Sequence, residues 1–138
     1  MNFMIFLRYR QQAFSAFFIF PYHMEQLIAH LAGDYLLQNN WMAKYKTSRF
    51  SVAAVHAFVY TLPFLFLTVN FYSLFIIFIT HAIIDRFSGI VIFLSRLKNL
   101  YFKGTGYPKE VPIWLSSFLV IIMDNTLHLI INYFALKL

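Results

Sequence analysis

Apolar residues run through this chain in long blocks, and the polar positions fall mostly between them. Four blocks approach the roughly 20 residues that a helix needs to cross the hydrocarbon core of a bilayer. They run from Met24 to Trp41, which is short, from Ser51 to Val69, from Phe71 to Phe87 and from Pro112 to Leu136. Pro63 predicts a kink in the second, because proline lacks the N–H that a helix interior uses. Pro112 suits the first turn of the fourth. Ahead of these blocks, Met1 to Tyr22 is interrupted by Arg8-Tyr9-Arg10-Gln11-Gln12, and Ala13 to Phe20 is too short to span. Residues 1–23 are therefore expected to be a leader or interfacial segment, with Met24 an alternative start, and residues 24–138 the bundle domain.

Composition makes the membrane reading firm. Of 138 residues, 61% are hydrophobic, 12% are charged and 18 are Phe, and a soluble domain of this size lacks the polar residues to cover its exterior. The expected fold is all-α: an integral membrane bundle of about four transmembrane spans. With no cysteine, disulfides, thiol catalysis and thiolate metal sites are excluded.

Charge then sets the orientation. The first connection carries Lys44, Lys46 and Arg49, and the third carries Arg86, Arg96, Lys98, Lys103 and Lys109 against Glu110. The connection around Asn70 carries none. Basic residues mark cytoplasmic loops, so the first and third connections are expected inside and both ends of the bundle outside. Because the cations sit between apolar blocks, the excess of 11 Lys and Arg over five acids points to membrane lipid and not to nucleic acid. Ser95 to Lys103 mixes basic and apolar residues as an interfacial cytoplasmic helix does, and Gly104-Thr105-Gly106-Tyr107-Pro108 supplies a turn into the last span.

The candidate chemistry lies inside the blocks. All three Asp fall within or at the end of one, and each has a His four residues away: His30 with Asp34, His81 with Asp85, Asp124 with His128. That spacing puts both side chains on one helix face. His56 adds a fourth histidine. A carboxylate at the centre of a bilayer costs about 2.5 to 3.5 kcal/mol even on the gentlest scale, so three of them should meet inside the bundle. His30, Asp34, His56, His81, Asp85, Asp124 and His128 are thus candidate ligands for one or two divalent ions, with zinc, manganese or iron suited to such nitrogen and oxygen donors. Asp85 is the weakest member, because adjacent Arg86 offers it a partner at the interface. Gln38, Asn125 and Asn132 are candidates to orient the ligands. Alternatively, each His–Asp pair only fixes helix register by a buried hydrogen bond. His23 and Glu25 are expected at the outer boundary, and Trp41 and Trp114 as interfacial anchors.

At these same residues the sequence resembles an uncharacterised domain family of small bacterial and phage membrane proteins. The matching pieces are His30-Leu-Ala-Gly-Asp34-Tyr-Leu-Leu-Gln38, Trp41-Met42-Ala43 with Lys46, and His56 with Tyr60. They continue with His81-Ala-Ile-Ile-Asp85-Arg86, Gly106-Tyr107-Pro108 and Asp124-Asn125-Thr126-Leu127-His128-Leu129. The resemblance runs from Met24 to the C-terminus and implies a multi-pass protein of the bacterial inner membrane, with no activity attached. By analogy alone, it is also similar to small membrane families with intramembrane His and Asp that are suspected metal hydrolases.

The reading that follows is a metal-dependent hydrolase of a lipid or lipid-linked phosphoester, with Asp34 or Asp85 left off the metal as general base. The alternatives are a channel or proton/ion pathway, as a homo-oligomer, and a phage accessory membrane protein. The charge asymmetry makes its own prediction. Impermeant labels at Lys46 and Lys103 should react only from the cytoplasm, and a label at Asn70 only from outside. Reaction of Lys46 and Asn70 from the same side would end the four-span topology.

Overall fold

The computed structural model describes residues 22–97 and 112–138, and all the regular structure there is helical. The expected leader over residues 1–21, the second half of the expected interfacial helix and the turn before Pro112 lie outside the described residues. Helix α1 (Tyr22–Leu31) continues into a single π-helical turn (Ala32–Leu36). After a break come α2 (Asn40–Tyr45) and α3 (Phe50–Thr61), the latter tightening into a 3-10 segment (Leu62–Phe66). Helices α4 (Phe71–Arg86), α5 (Gly89–Leu97) and α6 (Ile113–Ala135) complete the chain.

Local chemistry explains the boundaries. Pro63 stands in the first turn of the 3-10 segment, so the expected kink takes the form of a tightened helix end. The side chains of Asn39 and Asn70 accept from Met42 N and Tyr72 N, each at 2.9 Å, and cap α2 and α4. The first block is where sequence and structure part. Met24 to Trp41 is not one helix, because the π turn closes with Leu37 N on Ala32 O at 3.0 Å and Asn39 then starts a new helix.

α3 lies along α4, α4 against α6, and α6 against α1, while α1 meets the 3-10 segment and closes a four-helix ring. Among the described residues, one helix stretch, Ser117–Ala135, is long and apolar enough to cross a membrane. Phe50–Phe66 is apolar but shorter, and α4 has 16 residues.

The distribution of side chains is inverted relative to a soluble protein. Phe66 and Val69 are 93% and 89% exposed, and Phe, Leu and Ile cover much of the rest of the exterior. Inside lie His30, Asp34, His56, His81, Asp85, His128 and Asn132, all buried. A smaller apolar cluster of Ala29, Tyr60, Phe64, Ile77 and Ala135 fills the remaining core.

Gly33 brings the π turn and α3 together. A Cβ there would lie 2.5 Å from Tyr60 Cδ2 and 3.0 Å from the Tyr60 carbonyl oxygen. Backbone does not yield cheaply, so only glycine permits this approach. Gly→Ala inside a helix ordinarily stabilises by about 0.5–1 kcal/mol. Here overpacking should reverse the sign and cost about 1–3 kcal/mol. Thermal unfolding in detergent should show Gly33→Ala below the wild type. Gly89→Ala, whose Cβ meets nothing within 4 Å, should fall no lower than the wild type.

Candidate metal centre

Five elements deliver the polar centre. The π turn carries Asp34, α3 carries His56 and Tyr60, and the last turns of α4 carry His81 and Asp85. α6 carries His128 and Asn132, and Lys46 follows directly on α2. Because Gly33 lets the π turn approach α3, Asp34 reaches across to His56.

The tightest geometry surrounds two imidazoles. His56 Nε2 and His81 Nε2 are 3.1 Å apart. Asp34 Oδ1 stands 3.2 Å from the first and 3.4 Å from the second. Asp85 Oδ2 stands 3.1 Å and 3.2 Å from the same two nitrogens. Two triangles of donor atoms therefore share the His56–His81 edge. Lys46 Nζ adds a further contact, 3.3 Å from His56 Nε2 and 3.0 Å from Asp85 Oδ2.

Hydrogen bonding does not account for this crowding. An imidazole nitrogen carries either one N–H or one lone pair in the ring plane, so it makes one directed hydrogen bond. His56 Nε2 has four polar neighbours between 3.1 and 3.3 Å. A shared cation would account for it. Ligand distances of about 2.0–2.1 Å give tetrahedral edges of about 3.3–3.4 Å, close to the sides of both triangles. Two His and one carboxylate with open positions is also the pattern of catalytic metal sites and not of closed structural ones.

The second ring nitrogens fit the same scheme. If His81 Nε2 offers its lone pair to the centre, its Nδ1–H donates to His128 Nδ1 at 3.1 Å. His128 Nε2 then carries the proton and faces Asp85 Oδ1 at 3.7 Å and Asp124 Oδ2 at 3.8 Å. Tyr60 stacks on His81, with ring centroids 3.6 Å apart, and orients the neighbouring helices. Its hydroxyl donates to His30 Nδ1 and accepts from Asn132 Nδ2, both at 2.7 Å.

The expected ligands thus sort by position. Asp34, His56, His81 and Asp85 converge, and His128 supports them from behind His81. His30 is buried beside Asp34, at 3.4 Å, but Tyr60 occupies its Nδ1. Asp124 stands at the rim, with its side chain 33% exposed. Asp85 is not a weak interfacial member, since its side chain is 3% exposed and Lys46 is its cationic neighbour. Arg86 turns away and donates to Thr47 O at 2.8 Å. Asn132 donates to the Tyr60 hydroxyl, whereas Asn125 donates to the Tyr35 hydroxyl at 2.8 Å and also interacts with His30. Sequence reasoning placed Lys46 in a cytoplasmic loop and matched Lys46 and Tyr60 to the family pattern, but gave neither a role in the centre. Tyr60 has a legible signal, since it lies four residues beyond His56 on the same helix face.

A family model described as Protein of unknown function (DUF3307) matches residues 23–136. The chain belongs to that family. No curated protein and no solved structure matches it. The matched range holds every residue of the centre and takes in only residue 23 of the expected leader.

Tyr60→Phe isolates one part of this network. It keeps the ring on His81 but leaves His30 Nδ1 and Asn132 Nδ2 without their shared partner. A buried polar group left unpaired costs about 1–3 kcal/mol, so the variant should unfold at lower temperature in detergent. An unchanged midpoint would show that the hydroxyl contributes nothing.

Proposed function

We propose that the protein is a metal-dependent membrane hydrolase acting on a lipid or lipid-linked phosphoester. The observation that carries this reading is the convergence of His56 Nε2, His81 Nε2, Asp34 Oδ1 and Asp85 Oδ2 at spacings that suit one small divalent ion.

In this reading α1 with its π turn, α3 with its 3-10 segment, α4 and α6 cross the bacterial inner membrane. The apolar exterior supports it. So do Thr61, Thr80 and Thr126, whose hydroxyls donate to carbonyls four residues back at 2.6–2.8 Å, as hydroxyls without water do. A 16-residue α4 spans about 24 Å, less than the roughly 30 Å hydrocarbon core, so local thinning accompanies insertion.

The centre lies near the basic end of the bundle. His81 is five residues before Arg86, about 7.5 Å at 1.5 Å per residue. That depth is close to the phosphates of the cytoplasmic leaflet, with Lys44, Arg49 and Arg86 in the nearby connections. Asp34, His56 and His81 would hold the ion. When bound, it supplies Lewis acidity, which makes water nucleophilic near neutral pH. Asp85 is the carboxylate left to take a proton from the attacking water. A new P–O bond would form to that water as the ester P–O bond breaks, and the departing alcohol would take up the proton that Asp85 accepted.

One observation favours a second reading. His56, His81 and His128 form a chain of ring nitrogens with 3.1 Å steps, which is a route for protons. Toward the Asn70 end, however, Phe64, Ile77 and Ala135 close the core. Among the described residues, His30, bonded to the Tyr60 hydroxyl, is the last buried His, Asp or Lys on that side.

Elemental analysis of the detergent-purified full chain separates the two. About one zinc, manganese or iron per chain is expected, lost in His56→Ala and His81→Ala but retained in Asp124→Ala. The loaded wild type should release phosphate or a phosphoalcohol from phospholipid in mixed micelles. A chain free of metal after metal-replete purification, conducting protons in vesicles, would replace this reading with the second.

A further inference from the structure

Lys46 is the one cation that touches the centre among the described residues, and its position conflicts with a loaded one. Its ammonium lies 3.3 Å from His56 Nε2 and 3.0 Å from Asp85 Oδ2. The lone pair on His56 Nε2 either accepts from that ammonium or holds a metal ion; it cannot do both. An ammonium against the same carboxylate also repels a dication. Lys46 has somewhere to go. Its side chain is 18% exposed, and it is rooted just past the last residue of the six-residue α2, at the mouth of the first connection.

We propose that Lys46 is a tethered counter-ion that fills the centre when no metal is bound and is expelled by loading. Empty, the bundle would otherwise hold Asp34 and Asp85 against imidazoles alone. Loaded, the dication takes over that neutralisation, and Lys46 swings toward the rim. Its departure uncovers Asp85 Oδ2, so loading and exposure of the base are one event. The inference rests on the metal centre proposed above.

The test uses the full chain in detergent and compares wild type with Lys46→Met. Zinc affinity is read by competition with a chromophoric chelator, and stability by thermal unfolding with and without zinc. Lys46→Met should bind zinc more tightly, by roughly 5- to 150-fold, the ordinary range for coupled ligands. It should melt below the wild type without zinc and recover when zinc is added. A lysine that merely supports the fold would lower both melting temperatures and leave affinity unchanged. A lysine that holds Asp85 in place for the metal would make the variant bind more weakly. Either result overturns the proposal. If Lys46→Met does not fold, amine-reactive labelling of Lys46 in the wild type, read by mass spectrometry, decides instead. Labelling should rise on adding zinc, and unchanged labelling with zinc bound overturns the proposal. Absence of zinc binding in both proteins would sink the centre itself, and this inference with it.

Discussion

Two carboxylates, Asp34 and Asp85, sit inside a bundle whose exterior is largely apolar, and the arrangement around them follows from that. Removing the partner of a buried charge costs about 3–5 kcal/mol, so the surrounding helices must present donors or cations. α3, α4 and α6 present His56, His81 and His128, and the segment after α2 presents Lys46. The backbone is shaped to the same end. The π turn and Gly33 let Asp34 approach α3, and π turns occur often where a helix must re-aim a functional side chain.

Much of the centre was legible in the sequence, but its pairings were not. The four-residue His–Asp spacing picked out residues that converge, because a carboxylate and an imidazole on one helix face in an apolar segment have few places to go. Yet Asp34 lies closer to His56, at 3.2 Å, than to His30, at 3.4 Å. Asp124 and His128 share the spacing but stay 3.8 Å apart, with His128 buried and Asp124 at the rim. Spacing reports a shared face; it does not report which neighbouring helix that face meets. Lys46 was hidden for the same reason. In a linear reading it is one of three basic residues in a loop, and only the packing of α2 on α3 turns it inward. Asp85 was misjudged beside Arg86, since adjacent residues on a helix point in different directions.

The fold was legible as helices, less so as their lengths. The second, third and fourth blocks match α3 with its 3-10 segment, α4 and α6 to within a few residues. The first block fails as a continuous helix. Its hydrophobicity carries no mark of the π turn, and the cap at Asn39 competes with a merely apolar periodicity around it.

The axial placement of the polar groups bears on function more than their number does. A route through the membrane needs exchangeable groups along its whole length, whereas a hydrolytic centre needs them at the depth of the bond it cleaves. Asp34, His56, His81, Asp85 and Lys46 all gather toward the end where Arg86 meets Thr47. Away from that end, Tyr60 stacks over His81, Phe64 lies beside Tyr60, and Ile77 and Ala135 fill the core. Among the described residues, buried Ser73, Gln26, Asn132 and His30 are the polar side chains there, and of these only His30, held by the Tyr60 hydroxyl, exchanges a proton readily. On the proposed reading, a centre gathered at the basic end suits a substrate that would present its phosphate at that depth. The apolar exterior of the bundle would then be the surface along which the lipid tails lie.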